Sequence, residues 1–153
     1  MLYQKLLMKA DSYTLGYSKR GTKFQRHRHP EFEFNYCLSG DGYKTVIDGT
    51  EYEMSEGMLL AVGGMEGHEY EYTSSLPSSA VTVTLVVGSV FLGEYYEPFS
   101  KAIFKSPVFN LKEERYAELK SIFDELAECA SSEKTSFIFA FVFFKKLKKA
   151  FII

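Results

Sequence analysis

Between residues 12 and 96 the side chains alternate in short runs, and no other feature of the chain narrows its fold as much. SYTLGYSK, EFEFNYCLS, YKTVID, GMLLAVGG, HEYEYTS and AVTVTLVV are rich in β-branched and aromatic residues. KRGT, GDG, DGT and SLPSS break them up. A period of two sends neighbouring side chains to opposite faces of a strand. Short strands at such even spacing predict a sandwich or a barrel. Asp41-Gly42 and Asp48-Gly49 read as hairpin turns, since Gly tolerates the positive φ such turns need. The 14 Phe and 11 Tyr, with no Trp, suit strands around a wide apolar interior.

From about residue 110 the period changes. Asn110 reads as a helix N-cap and Glu113 as the second half of a capping box. Tyr116, Leu119, Phe123, Leu126 and Ala130 then recur at steps of three and four, one apolar stripe on a helix. Ser131-Ser132 marks a break. The segment from about 133 to 150 has two readings. Phe137, Phe141, Phe144, Leu147 and Phe151 fit a helix face, but Ile138, Phe139, Val142 and Phe143 fill the other sides. A final strand would use the same residues. The helix is preferred, because the segment follows a helix and ends in KKLKKAF. A helix apolar all round needs cover on several sides. The barrel supplies one cover and a second molecule the other, so Phe137, Phe141 and Phe144 are the expected dimer interface. The expected organisation is a β-barrel over 1–109 and a helical pair over 110–153 packed on it, together one structural domain.

At 153 residues the chain has the size of one domain that can bury a core without disulfides. Cys37 and Cys129 stand far apart, in no metal or redox spacing, which suits a reducing compartment. The start lacks the features of a signal peptide. FIFAFVFF, from Phe137 to Phe144, is the longest apolar run, and a membrane-spanning helix needs about 20 residues. The expectation is a cytoplasmic protein with no membrane partner. Lys134, Lys145, Lys146, Lys148 and Lys149 face only Glu133 in the last 21 residues, so the acidic excess behind the net charge of −2 lies in the rest of the chain. An acidic body is a poor nucleic-acid surface. The lysines read more simply as the solvated end of a helix.

The chain has three histidines. HRHPEFEFNYCLSG holds His27, His29 and Glu33, with Gly40 seven residues after the Glu. Gly57 precedes His68 by eleven residues in GMLLAVGGMEGHEY. Residues 27, 29 and 33 share parity, so an extended chain points them to one face, and His68 arrives from another strand. Three imidazoles and a carboxylate can surround a divalent cation and leave positions open. Zinc, nickel, manganese, iron and copper all fit this set. The alternative is a site used for an organic ligand or for hydrogen bonds only, with no cofactor required. By the same parity Asn35 and Cys37 join Glu33, and Tyr70 and Tyr72 join His68. Phe32, Phe34, Tyr36 and Leu38 take the opposite face. The interior so outlined suits a small polar molecule, or the tyrosines simply fill the barrel. Cys37 could serve as a nucleophile but reads better as a buried, inert thiol. There is no G-x-S-x-G, P-loop or Rossmann fingerprint, so no catalytic residue is assigned.

H-x-H-x3-E-x6-G resembles the first cupin motif, and Gly57 to His68 resembles the second. The second departs from its usual form at Gly63, Met65 and Tyr72, where Pro, Gly and Asn are usual. The order of parts over residues 12–130 resembles the N-terminal domain of AraC-type transcription regulators. That resemblance implies a cupin-type double-stranded β-helix, or jelly-roll barrel, that binds a small-molecule effector and is followed by a helical pair that forms a homodimer. It also implies a separate C-terminal helix-turn-helix domain that binds DNA. This chain lacks that domain, so no DNA binding by the chain itself is expected. The resulting expectation is an effector-sensing and dimerisation domain that is not an enzyme. The alternative is a stand-alone metal-dependent cupin enzyme of the sugar isomerase or dioxygenase type, using His27, His29, Glu33 and His68.

Overall fold

In a computed structural model that describes residues 2–3, 13–19, 24–40, 42–72, 80–88 and 107–132, the alternating runs pair into two five-stranded sheets. The strands are β1 (Leu2–Tyr3), β2 (Tyr13–Lys19), β3 (Phe24–Arg28), β4 (Phe32–Ser39) and β5 (Tyr43–Ile47). They continue with β6 (Thr50–Met54), β7 (Met58–Val62), β8 (His68–Tyr72), β9 (Val81–Val87) and β10 (Val108–Asn110). One sheet has the order β1-β3-β8-β5-β6 and the other β10-β7-β4-β9-β2. All pairings are antiparallel except β1 with β3. The chain is mainly β, a jelly-roll barrel.

Only one of the two expected hairpin turns is a hairpin. Asp48 and Gly49 take φ of 45° and 86° between the paired ends Ile47 and Thr50, as a two-residue turn requires. Gly42 instead lies where the chain passes from β4 in one sheet to β5 in the other. Its glycine is explained by close approach: a Cβ there would come within 2.7 Å of the Met54 carbonyl oxygen. Asp41 lies outside the described residues.

Two cores flank the β4 sheet. On its inner face Cys37, Leu60 and Val62 meet Tyr43, Ile47, Met54 and Tyr70 of the facing sheet. On its outer face Phe32, Phe34, Tyr36, Leu59, Ala61, Val83, Leu85 and Val87 form a second core under a helix. The split along β4 follows the expected parity. Each fully buried Leu or Phe contributes about 1.5–3 kcal/mol, so the outer core is a substantial share of the stability.

The helix begins later than the spacing predicts. Asn110 ends β10, paired with Met58, and its Oδ1 accepts from the Lys112 amide at 3.1 Å. Glu113 makes no capping bond, and Arg115 Nε donates to it at 2.8 Å. A 3-10 turn (Glu114–Tyr116) leads into α1 (Ala117–Ser132). Asn110 departs from the expected N-cap because the same side chain that caps a helix also closes a turn after a strand. Tyr116, Leu119, Phe123 and Leu126 are buried as expected, joined by Ile122 and Ala127. The described residues thus hold one C-terminal helix. The second member of the expected pair, with Phe137, Phe141 and Phe144, lies outside the described residues, as do the tail lysines. Among the described residues, no helix is long and apolar enough to cross a membrane.

Candidate metal centre

His27, His29, Glu33 and His68 each offer one ligand atom, and these atoms lie within 4.8 Å of one another. All four residues are buried, and His68 is fully so. Their convergence has a different cause from the shared face inferred above. His27 lies on β3 and Glu33 on β4, which belong to different sheets. Arg28 ends one strand, Pro30 and Glu31 turn the corner, and Phe32 begins the next. The pair closes around the inside of that corner. His68 arrives by registry, directly opposite His27 across the β3–β8 ladder. Their ring centroids are 4.2 Å apart, and His29 and His68 are 4.9 Å apart edge to face.

Each imidazole is oriented by a main-chain carbonyl. Nδ1 of His27 donates to Gln25 O at 2.7 Å, that of His29 to Glu31 O at 3.2 Å and that of His68 to Glu66 O at 3.0 Å. A carbonyl can only accept, so the proton sits on Nδ1 and the Nε2 lone pair of a neutral ring points inward. Glu33 Oε2 lies 3.2 Å from His29 Nε2 and 3.4 Å from His68 Nε2. The second of these is poorly aligned, and buried His68 Nε2 has no hydrogen-bond partner among the described residues.

The donor set fits a metal ion. With metal–nitrogen and metal–oxygen bonds of about 2.0–2.2 Å, two ligands on one ion stand roughly 3–3.4 Å apart when adjacent and about 4.2 Å when opposite. The Glu33 contacts fall in the first range, and all four ligand atoms lie within 4.8 Å of one another. The buried His68 nitrogen is the atom such an ion would satisfy. Burial works against a charged Glu33, but the facing imidazoles of His29 and His68 and the hydrogen bond from Tyr70 outweigh it, holding the carboxyl well below its usual range. Burial disfavours a charged His68, yet the facing Glu33 carboxylate raises its pKa overall. Burial lowers that of His27, helped by the neighbouring His68.

A second layer of polar groups surrounds the four. Tyr70 donates its hydroxyl to Glu33 Oε1. Tyr43 donates to Asn35 Oδ1, and Asn35 Nδ2 donates to Thr84 Oγ1 at 2.6 Å, directly across the β4–β9 ladder. Thr45, fully buried, donates to Glu69 O at 3.0 Å. Buried Glu31 Oε2 has no hydrogen-bond partner among the described residues and stands 3.6 Å from His29 Nδ1. The loop that delivers His68 is pinned by Met65 N to His29 O at 2.7 Å, Gly63 N to Glu66 Oε2 at 2.7 Å and Gly67 N to Asp48 Oδ1 at 2.9 Å. Met65, at the position where the motif usually has Gly, takes φ of 68°, the left-handed region Gly favours.

Of the expected site residues, His27, His29, Glu33, His68 and Tyr70 come together, and Asn35 lies one alternate position further along β4. Cys37 is buried among the barrel residues, and burial pushes its thiol up to about 11, which makes it a poor nucleophile. Tyr72 pairs with Tyr43 through the backbone, and its side chain lies outside the described residues. Sequence reasoning missed Tyr43, Thr45 and Thr84. The alternation of YKTVI, with Lys44 facing away, carried the signal for the first two.

Residues 16–84 match the family model for the cupin domain. No curated protein matches the chain. Among solved structures, the EutQ protein of Clostridium difficile is 18% identical with a TM-score of 0.40, over 50% of this chain and 56% of that one. Salicylate 1,2-dioxygenase from Pseudaminobacter salicylatoxidans is 23% identical with a TM-score of 0.41, over 63% of this chain and 24% of that one. KdgF from Halomonas sp. is 17% identical with a TM-score of 0.39, over 46% of this chain and 61% of that one. The chain thus spans little more than half of the EutQ chain and about a quarter of the dioxygenase. Likenesses this distant carry no residue roles across. The family match, over residues 16–84, covers the strands that bring both histidine segments together.

Proposed function

We propose that the domain binds a divalent transition metal through His27, His29, Glu33 and His68 and holds a small oxygen-bearing molecule beside it. One observation carries this reading: three imidazoles, each with Nδ1 on a main-chain carbonyl, turn toward one ionised carboxylate within 4.8 Å. Three nitrogens and one oxygen leave positions for an outside ligand. A bound ion would supply Lewis-acid polarisation of that ligand's oxygen. The residues themselves exclude water, orient the imidazoles and keep Glu33 ionised.

The test is metal content and metal affinity of the purified protein. The expected result is about one equivalent of zinc, manganese, iron or nickel, with affinity reduced at least a hundredfold by His68→Ala. Wild-type protein that takes up none of these ions would sink the reading.

The use made of the bound molecule divides into sensing and turnover. Sensing, as in an AraC-type effector domain, is favoured by the way β4 is built. Glu33 and Asn35 face the barrel interior, while Phe34 and Tyr36 between and beyond them pack under α1. A ligand that shifts β4 therefore acts on the helix, provided that it binds the two arrangements with different affinity. Homodimerisation through Phe137, Phe141 and Phe144 belongs to this reading. The alternative is a metal-dependent enzyme of the sugar isomerase or dioxygenase type. A candidate sugar or aromatic acid that binds without turnover and changes the mass measured by light scattering favours sensing. Turnover that His68→Ala abolishes favours the enzyme. A mass unchanged by Glu at Phe141 and Phe144 would place any dimer contact elsewhere.

A further inference from the structure

The two oxygens of Glu33 have separate partners. Oε2 faces His29 Nε2 at 3.2 Å and His68 Nε2 at 3.4 Å. Oε1 turns away from them and accepts the Tyr70 hydroxyl. Tyr70 is buried on β8, two residues beyond His68 and on the same face of the strand. Its ring stands 6.1 Å from that of His68, nearly perpendicular. Across the β5–β8 ladder it is opposite Thr45, which is fully buried. The ring is therefore enclosed and the hydroxyl has a fixed aim.

A carboxylate can bind a metal through one oxygen or both. With both, it fills two positions and closes the site to outside ligands. A hydrogen bond that occupies one oxygen leaves one for the ion, and such outer partners fix how ligands are presented. We infer that Tyr70 is a positioning residue that keeps Glu33 a one-oxygen ligand, so that the centre presents four protein donors and retains open positions for a small molecule. This rests on the metal reading above and assigns Tyr70 a task other than contact with the ligand. Asn35 falls in the same class of internally engaged groups, since Tyr43 and Thr84 occupy both ends of its amide.

Cobalt(II) is the probe, because its visible absorption weakens as its coordination number rises. Wild-type protein loaded with Co(II) should give the stronger bands of a low-coordinate ion. Tyr70→Phe should weaken and shift them and change Co(II) affinity by about tenfold or more. In a Glu33→Ala background, Tyr70→Phe should then change neither quantity, which a merely structural effect of the substitution would not reproduce. X-ray absorption on the zinc-loaded wild type checks the same point without any variant, by showing whether the carboxylate is bound through one oxygen or two. Two-oxygen binding in the wild type would overturn the inference. So would a Tyr70→Phe spectrum and affinity equal to the wild type, or an equal effect in the Glu33→Ala background. All three results leave the metal reading standing. A wild type that takes up no cobalt, zinc or other ion would sink both.

Discussion

Replacing Phe123 with Ala should separate the stability of the fold from the integrity of the site. Phe123 is fully buried on α1, in the outer core, with its ring centroid 5.2 Å from that of Tyr36 on β4. Removing a buried Phe side chain costs about 3–5 kcal/mol in lost transfer energy and residual cavity. About 0.5–1.5 kcal/mol of that belongs to the paired rings. The Tyr36 hydroxyl bond to Asp124 at 3.0 Å, itself braced by Lys120 at 2.7 Å, keeps the helix in place and limits collapse of the cavity. The loss therefore belongs in the upper half of the range, against a total of about 5–15 kcal/mol for a domain. With a urea slope near 2 kcal/mol/M, the unfolding midpoint should fall by about 2 M. Glu33 faces the barrel interior from β4 and the three histidines lie off that strand, away from α1, so metal affinity of the folded variant should stay within about threefold of wild type. Urea titration followed by far-UV circular dichroism, with metal titration under native conditions, measures both. A midpoint shift below about 0.5 M would mean that the helix is not part of the cooperative core. A collapse of metal affinity in the folded variant would mean that the metal-binding geometry itself depends on the packing under α1.

Saturating metal, at about a hundred times its Kd, should stabilise the wild type by about 2.7 kcal/mol, or roughly 5–10 °C in Tm. The His68→Ala variant should show almost none of this shift, and an equal shift in both would place the ion elsewhere. In the metal-free protein Glu33 has a depressed pKa, so its contribution is present above the usual carboxylate value of 4.5 and is lost as pH falls below it. Urea midpoints measured above and below pH 4.5 should fall more steeply with acid in the wild type than in Glu33→Gln, and parallel curves would contradict the assigned partners. Gly57, at φ of 84°, donates to Cys37 O and accepts from Leu111 N, both at 2.8 Å. Gly57→Ala should cost about 1–2 kcal/mol for a side chain in that region, and a neutral result by thermal melting would show that the turn can relax.

The strands were legible because alternation is a local property. EFEFNYCLS and AVTVTLVV each carry an apolar face that a strand must bury, and YKTVI shows its inward residues against Lys44. Glu33 and Asn35 could be separated from Phe34 and Tyr36 by parity, and the structure keeps that division. The first motif also exposed His27, His29 and Glu33, since His and Glu at that spacing are legible one by one. The boundary at Asn110 was not legible, because one short polar side chain serves equally well before a helix and after a strand. Nor was the nature of Gly42, since a glycine required by close approach to Met54 looks the same in sequence as one required by a turn.

What the amino-acid order determined was therefore periodicity and residue type: strands first, a helical stripe later, and four side chains able to bind a metal. Tertiary structure decided which sheet each strand joined, that His27 and Glu33 meet around a corner, and that His68 stands opposite His27. It also decided that Tyr70 would take one oxygen of Glu33 and leave the other facing the imidazoles. The physical reason is range. Side-chain alternation is set by a residue and its neighbours, while registry and sheet membership are set by contacts between segments tens of residues apart.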